Sequence, residues 1–480
     1  MTYRNSFFDK TKIYFKKVVS LEEEIASIET IMAQFAQRHV FLRRRINELS
    51  PMAKFPSEIL IEIFQIACRP VYDGYKAKQA VTPLFIGSIC RRWRDVTWST
   101  PLLWNTILLN VSRKHHGTQV QLLGDWLLNA GSAPLSIKLN AAEDEDESVL
   151  CAFEAIMQIL VTRSDYWLTF DSLLPPRCHK IFCNIDFPML TSVSLLPPRN
   201  TITTFNTPSD IMFLTAPKLV DVALPRYFPV MLPWEPIRHF RTRWLTVDEC
   251  LMVLQQSPNL QECHFDYVYF LDILIPETIM PYAHLKHLHI GFQDSETSML
   301  FFDSITLPSL SNLLIQCNGT RRLLLSSITS LVLRSACNLE RFTIEFPFHY
   351  ADLIPCLEAI PSLTYFHLKM LGGPDMGLTR DFVASLDPLS NSNRLLLPNL
   401  KYFEYIGPVL CDCRTIVDMM AHRWHLSDDG EPSQTNFTGV SRLKLAEIFS
   451  TLPYNITADV QEELRNLSEE GLLVRIEALV

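Results

Sequence analysis

Glycine is scarce in this chain, supplying 14 of 480 residues, which is below half of its average share of about 7%. The glycine-rich phosphate loops G-x-G-x-x-G and G-x-x-x-x-G-K are absent, as are the G-x-S-x-G turn of serine hydrolases and the H-E-x-x-H zinc motif. Each of these patterns positions a phosphate, a nucleophile or a metal ion. Their absence argues against an enzyme of those classes.

An excess of basic residues and long apolar runs are also lacking. The formal net charge is −9, whereas proteins that bind nucleic acid or anionic lipid present a basic surface. No uninterrupted run of about 18 apolar residues occurs, and charges interrupt the start of the chain where a secretory signal has its apolar core. We therefore expect an intracellular protein, cytoplasmic or nuclear, that binds proteins and neither nucleic acid nor membrane.

The 12 cysteines show no pattern that binds metal. They form no C-x-x-C pair, and Cys411 and Cys413 are too close together for a zinc knuckle. We interpret them as reduced thiols that mostly fill the core. The sequence predicts no resident metal and no cofactor.

The first 50 residues contain one long amphipathic pattern. Its apolar seam alternates spacings of four and three residues, which places all its members on one stripe of a helix. The seam consists of Leu21, Ile25, Ile28, Met32, Phe35, His39, Leu42, Ile46 and Leu49. Such a helix packs along the chain's own next domain or pairs with another helix in a coiled coil, and of the two we favour packing within the chain.

Two shorter helices are predicted in the next 60 residues. The first begins at Phe55-Pro56-Ser57-Glu58, because proline fits a first helical turn and glutamate favours the positive end of the helix dipole. Thr82 is suited to cap the second helix, in which Ile86, Ile89 and Trp93 follow at helical spacing. So short a segment buries little surface of its own, and its apolar side chains therefore require a neighbour.

From Phe187 onward the chain repeats an apolar spacing of i, i+3 and i+5. The occurrences begin at Leu190, Leu219, Leu260, Leu285, Leu310, Ile328, Leu339, Leu363, Leu400 and Val440. Several follow a similar lead-in, such as Leu307-Pro308-Ser309-Leu310, and several neighbouring starts lie 23 to 29 residues apart. This is the period of a leucine-rich repeat, in which each coil contains a short parallel strand and a return helix.

Alternation along the predicted strands places polar side chains opposite the buried ones. When Leu288 and Ile290 point inward, His287 and His289 point to the opposite, concave face, and the neighbouring strands add their own polar residues about 4.8 Å away. The predicted substrate-binding residues on this face are Arg241, Glu262, His264, Asp266, His287, His289, Arg341, Tyr365, His367 and Lys369.

Four arginines have a second possible role. Guanidinium groups suit acidic or phosphorylated ligands, and the residues concerned are Arg241, Arg243, Arg334 and Arg341. The alternative interpretation, that they are scattered surface arginines, is the commoner one.

One group of side chains has the composition of a zinc site. His287 and His289 form an H-x-H pair on a predicted strand beside His264 and Asp266, and three protein ligands with an open position allow zinc to activate water. The alternative is a polar recognition surface on which histidines cluster. We favour this alternative, because no further pattern that would orient the histidines accompanies them.

Three blocks between residues 51 and 104 resemble the F-box motif. Residues 55–64 stand where that family has a Leu-Pro-x-Glu-Ile-Leu helix, and residues 90–96 and 101–104 match its later blocks in the same order. Together with the preceding amphipathic helix and with residues 126–137, which resemble the usual entry into the repeats, the chain is similar to the large fungal F-box class from residue 21 onward. It departs from the family at Phe55, which replaces a leucine, and in a longer loop before Thr82.

The resemblance implies that the Skp adaptor packs against the F-box and tethers the protein to a cullin-RING ubiquitin ligase, while the repeats hold a protein substrate. It implies an α/β fold in which a small all-α F-box precedes an irregular leucine-rich-repeat solenoid with a parallel sheet on its concave face. The expected domains are an N-terminal tail and amphipathic helix over 1–50, the F-box over 51–110, and the solenoid with its C-terminal cap over 111–480. By position, the adaptor-binding residues are Phe55, Pro56, Ile59, Leu60, Ile63, Ile89, Trp93 and Trp104.

No catalytic residue is expected in this chain. A substrate-recognition subunit acts by proximity, because it raises the effective concentration of its target near the transferable ubiquitin. Two alternatives stay open at this point: a non-degradative interaction scaffold and, less favoured, a zinc-dependent hydrolase.

Overall fold

The computed structural model divides the chain into two compact units. The first contains Met1–Leu108 and Gln121–Ala133, and the second contains Leu109–Val120 and Pro134–Val480. The expected domain boundaries stay predictions. The structure describes residues 2–73, 76–78, 81–112, 114–140, 147–173, 182, 185–196, 213, 215–224, 232–271, 280–317, 325–348, 350–370, 377–390, 395–425 and 439–479.

The first unit is mainly helical. A hairpin of two antiparallel strands, β1 (Val71–Asp73) and β2 (Lys76–Lys78), joins its helices, and strand β3 (Thr106–Asn110) begins at its end. Short 3-10 turns cover Pro51–Lys54 and Pro101–Leu103. The helices are α1 (Thr2–Leu49), α2 (Ser57–Ala67), α3 (Pro83–Ile89), α4 (Arg91–Trp98) and, from Gln121 onward, α5 (His116–Ala130).

The helix predicted after Thr82 is two helices. Thr82 Oγ1 accepts a hydrogen bond from the Phe85 amide (3.2 Å) and caps α3 as expected. At Cys90 the backbone becomes extended, and the Cys90 Sγ then accepts a hydrogen bond from the Trp93 amide (3.4 Å) at the start of α4. The break lets the two short helices fold against each other.

Tryptophans form the core of the first unit. Trp104 packs edge-on against Trp98 and Trp126, with ring centroids 5.1 and 5.0 Å away. Its indole N–H donates to the Thr97 carbonyl (2.9 Å), so the polar end of this buried ring is satisfied. At Gly87, a Cβ atom would lie 2.0 Å from the Trp98 ring, so this close approach requires glycine.

Helix α1 is confirmed, but its packing is not as expected. From Lys17 to Leu49 every residue is exposed, including the complete apolar seam. The interpretation that the seam packs along the chain's own next domain is therefore wrong, because no described part of the chain covers it.

The second unit contains a long parallel sheet, which confirms the mixed α/β class. From β4 to β18 each strand pairs in parallel with the strand that follows it in the sheet, and the order in the sheet follows the order in the sequence. Two short strands, β10 (Met280–Pro281) and β12 (Ile305–Thr306), form a separate parallel pair. The strands of the sheet are β4 (Leu135–Asn140), β5 (Trp167–Leu173), β6 (Ser192–Leu196), β7 (Asp221–Ala223), β8 (His239–Arg243), β9 (Glu262–Val268), β11 (His287–Phe292), β13 (Asn312–Cys317), β14 (Arg341–Glu345), β15 (Tyr365–Lys369), β16 (Tyr402–Gly407), β17 (Leu445–Ser450) and β18 (Leu473–Ala478).

Helices alternate with many of these strands. Helix α7 begins with a complete capping box, in which the Thr246 amide donates to the Glu249 carboxylate (2.8 Å) and the Glu249 amide donates to Thr246 Oγ1 (3.4 Å). In the part of the chain that the structure describes, no helix is both long and apolar enough to span a membrane. The helices are α6 (Glu147–Val161), α7 (Val247–Gln256), α8 (Ser295–Asp303), α9 (Leu325–Ser335), α10 (Tyr350–Glu358), α11 (Arg380–Leu386), α12 (Cys413–Trp424) and α13 (Ala458–Glu469).

The i, i+3, i+5 residues form the core of the sheet. At β11, for example, Leu285 before the strand and Leu288 and Ile290 within it are all buried. In several sets the first residue closes a turn: the Leu310 amide donates to the Leu307 carbonyl (3.1 Å), and equivalent bonds precede β9, β15 and β16. The proline lead-in thus marks a turn that directs a leucine into the core before its strand begins.

Two of the predicted strand sets are wrong. Ile328 and Leu331 are buried on helix α9, whose Leu333 is exposed; a helix shares the i, i+3 spacing but turns the i+5 residue away. The set assigned to Val440 is displaced by three residues, because the buried side chains are Leu443, Ala446 and Ile448.

Candidate functional site

The first candidate site is an apolar surface on the helices of the first unit. Helix α2 is apolar on both sides, because Leu60 and Phe64 are buried while Ile59, Ile63 and Ile66 are exposed. A helix of this character is normally covered on all sides. We name the exposed set the apolar face, and it consists of Phe55, Ile59, Ile63, Ile66, Leu84, Phe85, Ile89, Trp98 and Leu102.

Most of the predicted adaptor-binding residues lie at the surface. Phe55, Pro56, Ile59, Ile63 and Ile89 are exposed. The sequence analysis missed the remaining members of the apolar face, although their spacing on α2 and α3, opposite the buried side chains, carried the signal.

Three of the predicted adaptor-binding residues have a packing role. Leu60 is 0% and Trp104 is 1% exposed, so neither presents a surface to a partner, and the sequence prediction is corrected for both. Trp93 is half-buried, with its ring 4.9 Å from the Phe64 ring. These side chains hold the helices in the positions from which the apolar face is exposed.

An arginine fixes the segment that precedes α2. The guanidinium of Arg92, on α4, donates to the carbonyl oxygens of Ala53 and Phe55. Charged hydrogen bonds of this kind are stronger than neutral ones. They hold the start of α2, and with it the exposed Phe55 and Ile59, against α4.

The second candidate site is the face of the sheet opposite the core, which we name the polar face. Its side chains are half-buried or exposed, in alternation with the buried ones. The strand register places Arg241, His264 and His289 in one row across β8, β9 and β11, and Thr343, His367 and Glu404 in one row across β14, β15 and β16. The predicted substrate-binding residues therefore share one face of the sheet.

A histidine and carboxylate cluster occupies β9 and β11. The rings of His264 and His289 stack with centroids 3.6 Å apart, and His264 Nε2 lies 2.9 Å from Asp266 Oδ1. Arg243 also donates to Asp266 (3.1 Å). His287 lies in the adjacent row beside Glu262 and is not in the cluster.

The cluster shifts the pKa of two of its members. Burial alone would raise the pKa of Asp266, but the hydrogen bond from His264 and the charges of His264, His289 and Arg243 outweigh it and lower the pKa. Burial lowers the pKa of His289, and the neighbouring His264 lowers it further. At neutral pH the cluster thus contains an ionised carboxylate and a neutral imidazole at His289.

The cluster has the composition of a cation site but not its geometry. The ligand atoms of His264, Asp266 and His289 lie within 4.8 Å of one another. However, the two rings are stacked and nearly parallel (20°, centroids 3.6 Å apart), so one ion beside them cannot lie in the plane of both rings, as imidazole coordination requires. Arg243 already neutralises the carboxylate. The arrangement is therefore better suited to hydrogen bonding with a ligand than to holding zinc.

A second polar network lies further along the sheet. His367 Nδ1 lies 2.9 Å from Glu404, and Glu345 accepts hydrogen bonds from Gln316 (3.1 Å) and Lys369 (3.5 Å). These bonds join side chains of neighbouring strands, so each side chain is oriented before any partner binds.

Arg341 and Tyr365 form an amphipathic pair beside this network. The guanidinium carbon of Arg341 lies 4.1 Å from the centroid of the Tyr365 ring. Burial, together with the charge of the Glu404 carboxylate and a hydrogen bond to it, raises the pKa of Tyr365 to about 12, so its hydroxyl stays protonated.

Arg334 does not belong to the polar face. It lies on α9, where its guanidinium donates to the carbonyls of Phe302 (2.6 Å) and Ile305 (3.1 Å). The interpretation that Arg334 receives an acidic ligand is therefore wrong, because the side chain connects α9 to the backbone near β12.

Two exposed aromatic residues stand next to the cluster and were missed. The rings of Trp244 and Tyr267 stack with centroids 4.6 Å apart, and both residues have a positive φ of 58°. This conformation is costly for bulky residues and is often associated with functional sites. The period-two alternation of strand residues does not predict this backbone conformation, because Trp244 and Tyr267 lie at the ends of the paired strands.

Comparison with models of known protein families and with curated proteins gives no match.

Proposed function

We propose that this protein is the substrate-recognition subunit of a Skp-cullin-F-box ubiquitin ligase. The observation that carries the proposal is the apolar face, whose large side chains on α2, α3 and α4 are each exposed. Exposed apolar surface of this kind is typical of protein–protein contacts. The three F-box-like blocks occur in order on the same helices, and this favours the Skp adaptor as the partner.

The second unit supplies the substrate-binding part of the proposal. In the interpretation we favour, the parallel sheet belongs to an irregular leucine-rich-repeat solenoid, and the polar face binds a protein substrate. Two cross-strand networks of charged and imidazole groups support this role, because side chains that are already oriented lose less entropy on binding. The ubiquitin chemistry takes place on other subunits, and the contribution of this chain is proximity.

The adaptor contact is tested by a double substitution on α2. Ile59→Asp with Ile63→Asp places two charges on the α2 part of the apolar face, whereas Leu128→Asp places one on an exposed position of α5 in the same unit. Burying an unpaired charge at a hot spot costs about 2 kcal/mol or more. We therefore expect the double variant to lose Skp and cullin in co-purification, and Leu128→Asp to retain both.

The melting temperature of each variant distinguishes a lost contact from a lost fold. The proposal is contradicted when the double variant keeps its melting temperature and still recovers the adaptor as well as the unsubstituted chain does.

A further inference from the structure

Helix α1 presents an apolar stripe that no described residue of this chain covers. In heptad terms, the a positions are Ile25, Met32, His39 and Ile46, and the d positions are Leu21, Ile28, Phe35, Leu42 and Leu49. All of them are exposed, Phe35 at 71% and Leu49 at 78%. A stripe of this length is the seam of a two-stranded coiled coil.

The charges beside the stripe are segregated along the helix. The flanking e and g positions carry Glu22, Glu24 and Glu29 in the first half of the seam, and Arg38, Arg43 and Arg45 in the second half. Residues at e and g lie beside the seam and determine the orientation of a partner helix. One half of the seam is therefore bordered by negative charge and the other by positive charge.

This pattern disfavours a parallel pair of copies. In a parallel coiled coil each g residue faces the e residue of the following heptad on the other helix. Glu24 would then face Glu29 of the second copy, and Arg38 would face Arg43. Both contacts bring like charges together, and each would occur twice.

An antiparallel pair converts the same charges into ion pairs. With Met32 opposite Phe35 of the second copy, Glu24 faces Arg45 and Glu22 faces Arg43. The two-fold symmetry of the pair repeats each contact, as an isologous interface requires. In the single chain, Arg45 pairs with Glu48 on the exposed surface of its own helix (3.0 Å), which is a weak interaction.

The apolar layers fit the same register. In this register Leu21 lies opposite Ile46, Ile25 opposite Leu42, and Ile28 opposite His39, so every seam residue from Leu21 to Ile46 has a counterpart on the second helix. Val18, also exposed (39%), extends the seam by one layer against Leu49. Charge and shape therefore select one arrangement.

We propose that α1 forms an antiparallel two-stranded coiled coil with α1 of a second copy of this chain. The inference does not depend on the proposed function. It makes the protein a dimer whose two copies each carry an apolar face and a polar face.

Sedimentation of the full chain over a concentration series tests the dimer. We expect twice the mass of the 55.3 kDa chain, and a monomer when Ile28→Asp and Leu42→Asp charge the seam. Val40→Asp is the matched control, because Val40 is exposed on α1 (47%) but lies off the seam, and it should leave the dimer intact. A monomer at every concentration for the unsubstituted chain would overturn the proposal, whichever other protein binds α1.

The orientation is tested by charge reversal. In the antiparallel pair, Arg43→Glu with Arg45→Glu opposes Glu22 and Glu24, so at low salt the affinity of the dimer should weaken about tenfold, and added salt should reduce the loss by screening the repulsion. Adding Glu22→Arg and Glu24→Arg should restore the affinity, which excludes misfolding as the cause of the loss. In a parallel pair, Arg43→Glu would instead relieve the repulsion from Arg38. Tighter association of the Arg43→Glu, Arg45→Glu variant therefore refutes the antiparallel arrangement.

Discussion

His289 makes the stability of the second unit depend on pH. Burial and His264 lower its pKa below the ordinary value, although Gln316 and the carboxylates of Asp266 and Glu345 oppose the shift. The unfolded chain therefore binds a proton near pH 6.5 while the folded chain does not, and stability falls as the pH falls through and below that value. Asp266 affects stability at lower pH. Because its pKa is lowered in the folded chain, its contribution to the free energy of unfolding is complete above the ordinary carboxylate pKa and is lost as the pH falls below that value.

We expect the free energy of unfolding, measured in urea between pH 7.5 and 5, to decrease with falling pH more steeply for the unsubstituted chain than for His289→Gln. The variant has no imidazole to protonate at this position. Equal slopes for the two proteins would contradict the assignment of the pH dependence to His289.

Arg423 is a cation inside the second unit. It is 0% exposed, and its guanidinium donates to the carbonyls of Leu386 (2.6 Å), Leu396 (2.8 Å) and Leu397 (3.1 Å). Burial lowers its pKa to about 10, and the charge of Asp387 opposes the shift. The arginine thus joins α12 to two backbone segments, one ending α11 at Leu386 and one at Leu396 and Leu397, and it donates to buried carbonyl groups of both.

Replacing Arg423 by Met should cost about 3 kcal/mol or more, because each buried carbonyl without a donor costs about 1–3 kcal/mol. Arg423→Lys keeps a cation but lacks the planar fork, so we expect an intermediate loss. Urea unfolding of the two variants checks the order. A Met variant as stable as the Lys variant would show that the hydrogen bonds contribute little.

At the scale of the element, helix α9 distinguishes two interpretations of one sequence pattern. A strand over Ile328–Leu333 would direct Leu331 and Leu333 to the same side, since side chains alternate with period two. In α9 they lie on different sides, with Leu331 0% and Leu333 66% exposed. Sequence spacing alone did not separate the two, because the i, i+3 spacing of the first two members occurs both in the repeat pattern and in a helix.

The two interpretations predict different stabilities. We expect Leu331→Ala to cost about 2–5 kcal/mol, as for other buried leucines, and Leu333→Ala to change the free energy of unfolding by about 0.5 kcal/mol or less. Thermal or urea unfolding of both variants provides the comparison. Comparable losses at the two positions would favour the strand.

For the whole molecule, the sequence predicted the parallel sheet and the positions of its polar side chains because both follow from local periodicity. The repeat pattern did not predict strand β8. Ile237 and Phe240 occupy the first two apolar positions of the pattern, but the third is a buried threonine, Thr242. The stacking of His264 on His289 could not be predicted in this way. It depends on how two strands are registered, which is a property of the fold and not of either segment.

The helical unit shows the same limit. Apolar residues occur on both sides of α2, so the sequence predicted a helix that contacts a partner. It could not distinguish Leu60, which is in the core, from Ile59, which is at the surface. The division is made by the tryptophan cluster, whose rings come from segments as distant as Trp98 and Trp126.

The order of strands in the sheet has a consequence for synthesis of the chain. Since each strand of the long sheet from β5 onward pairs with one that precedes it in the sequence, the strand edge on which it docks has already left the ribosome when the strand emerges. The second unit can thus assemble vectorially during translation, without waiting for distant residues. Nearest-neighbour pairing of this kind also lets a local insertion between two strands be absorbed with little effect on the rest of the sheet.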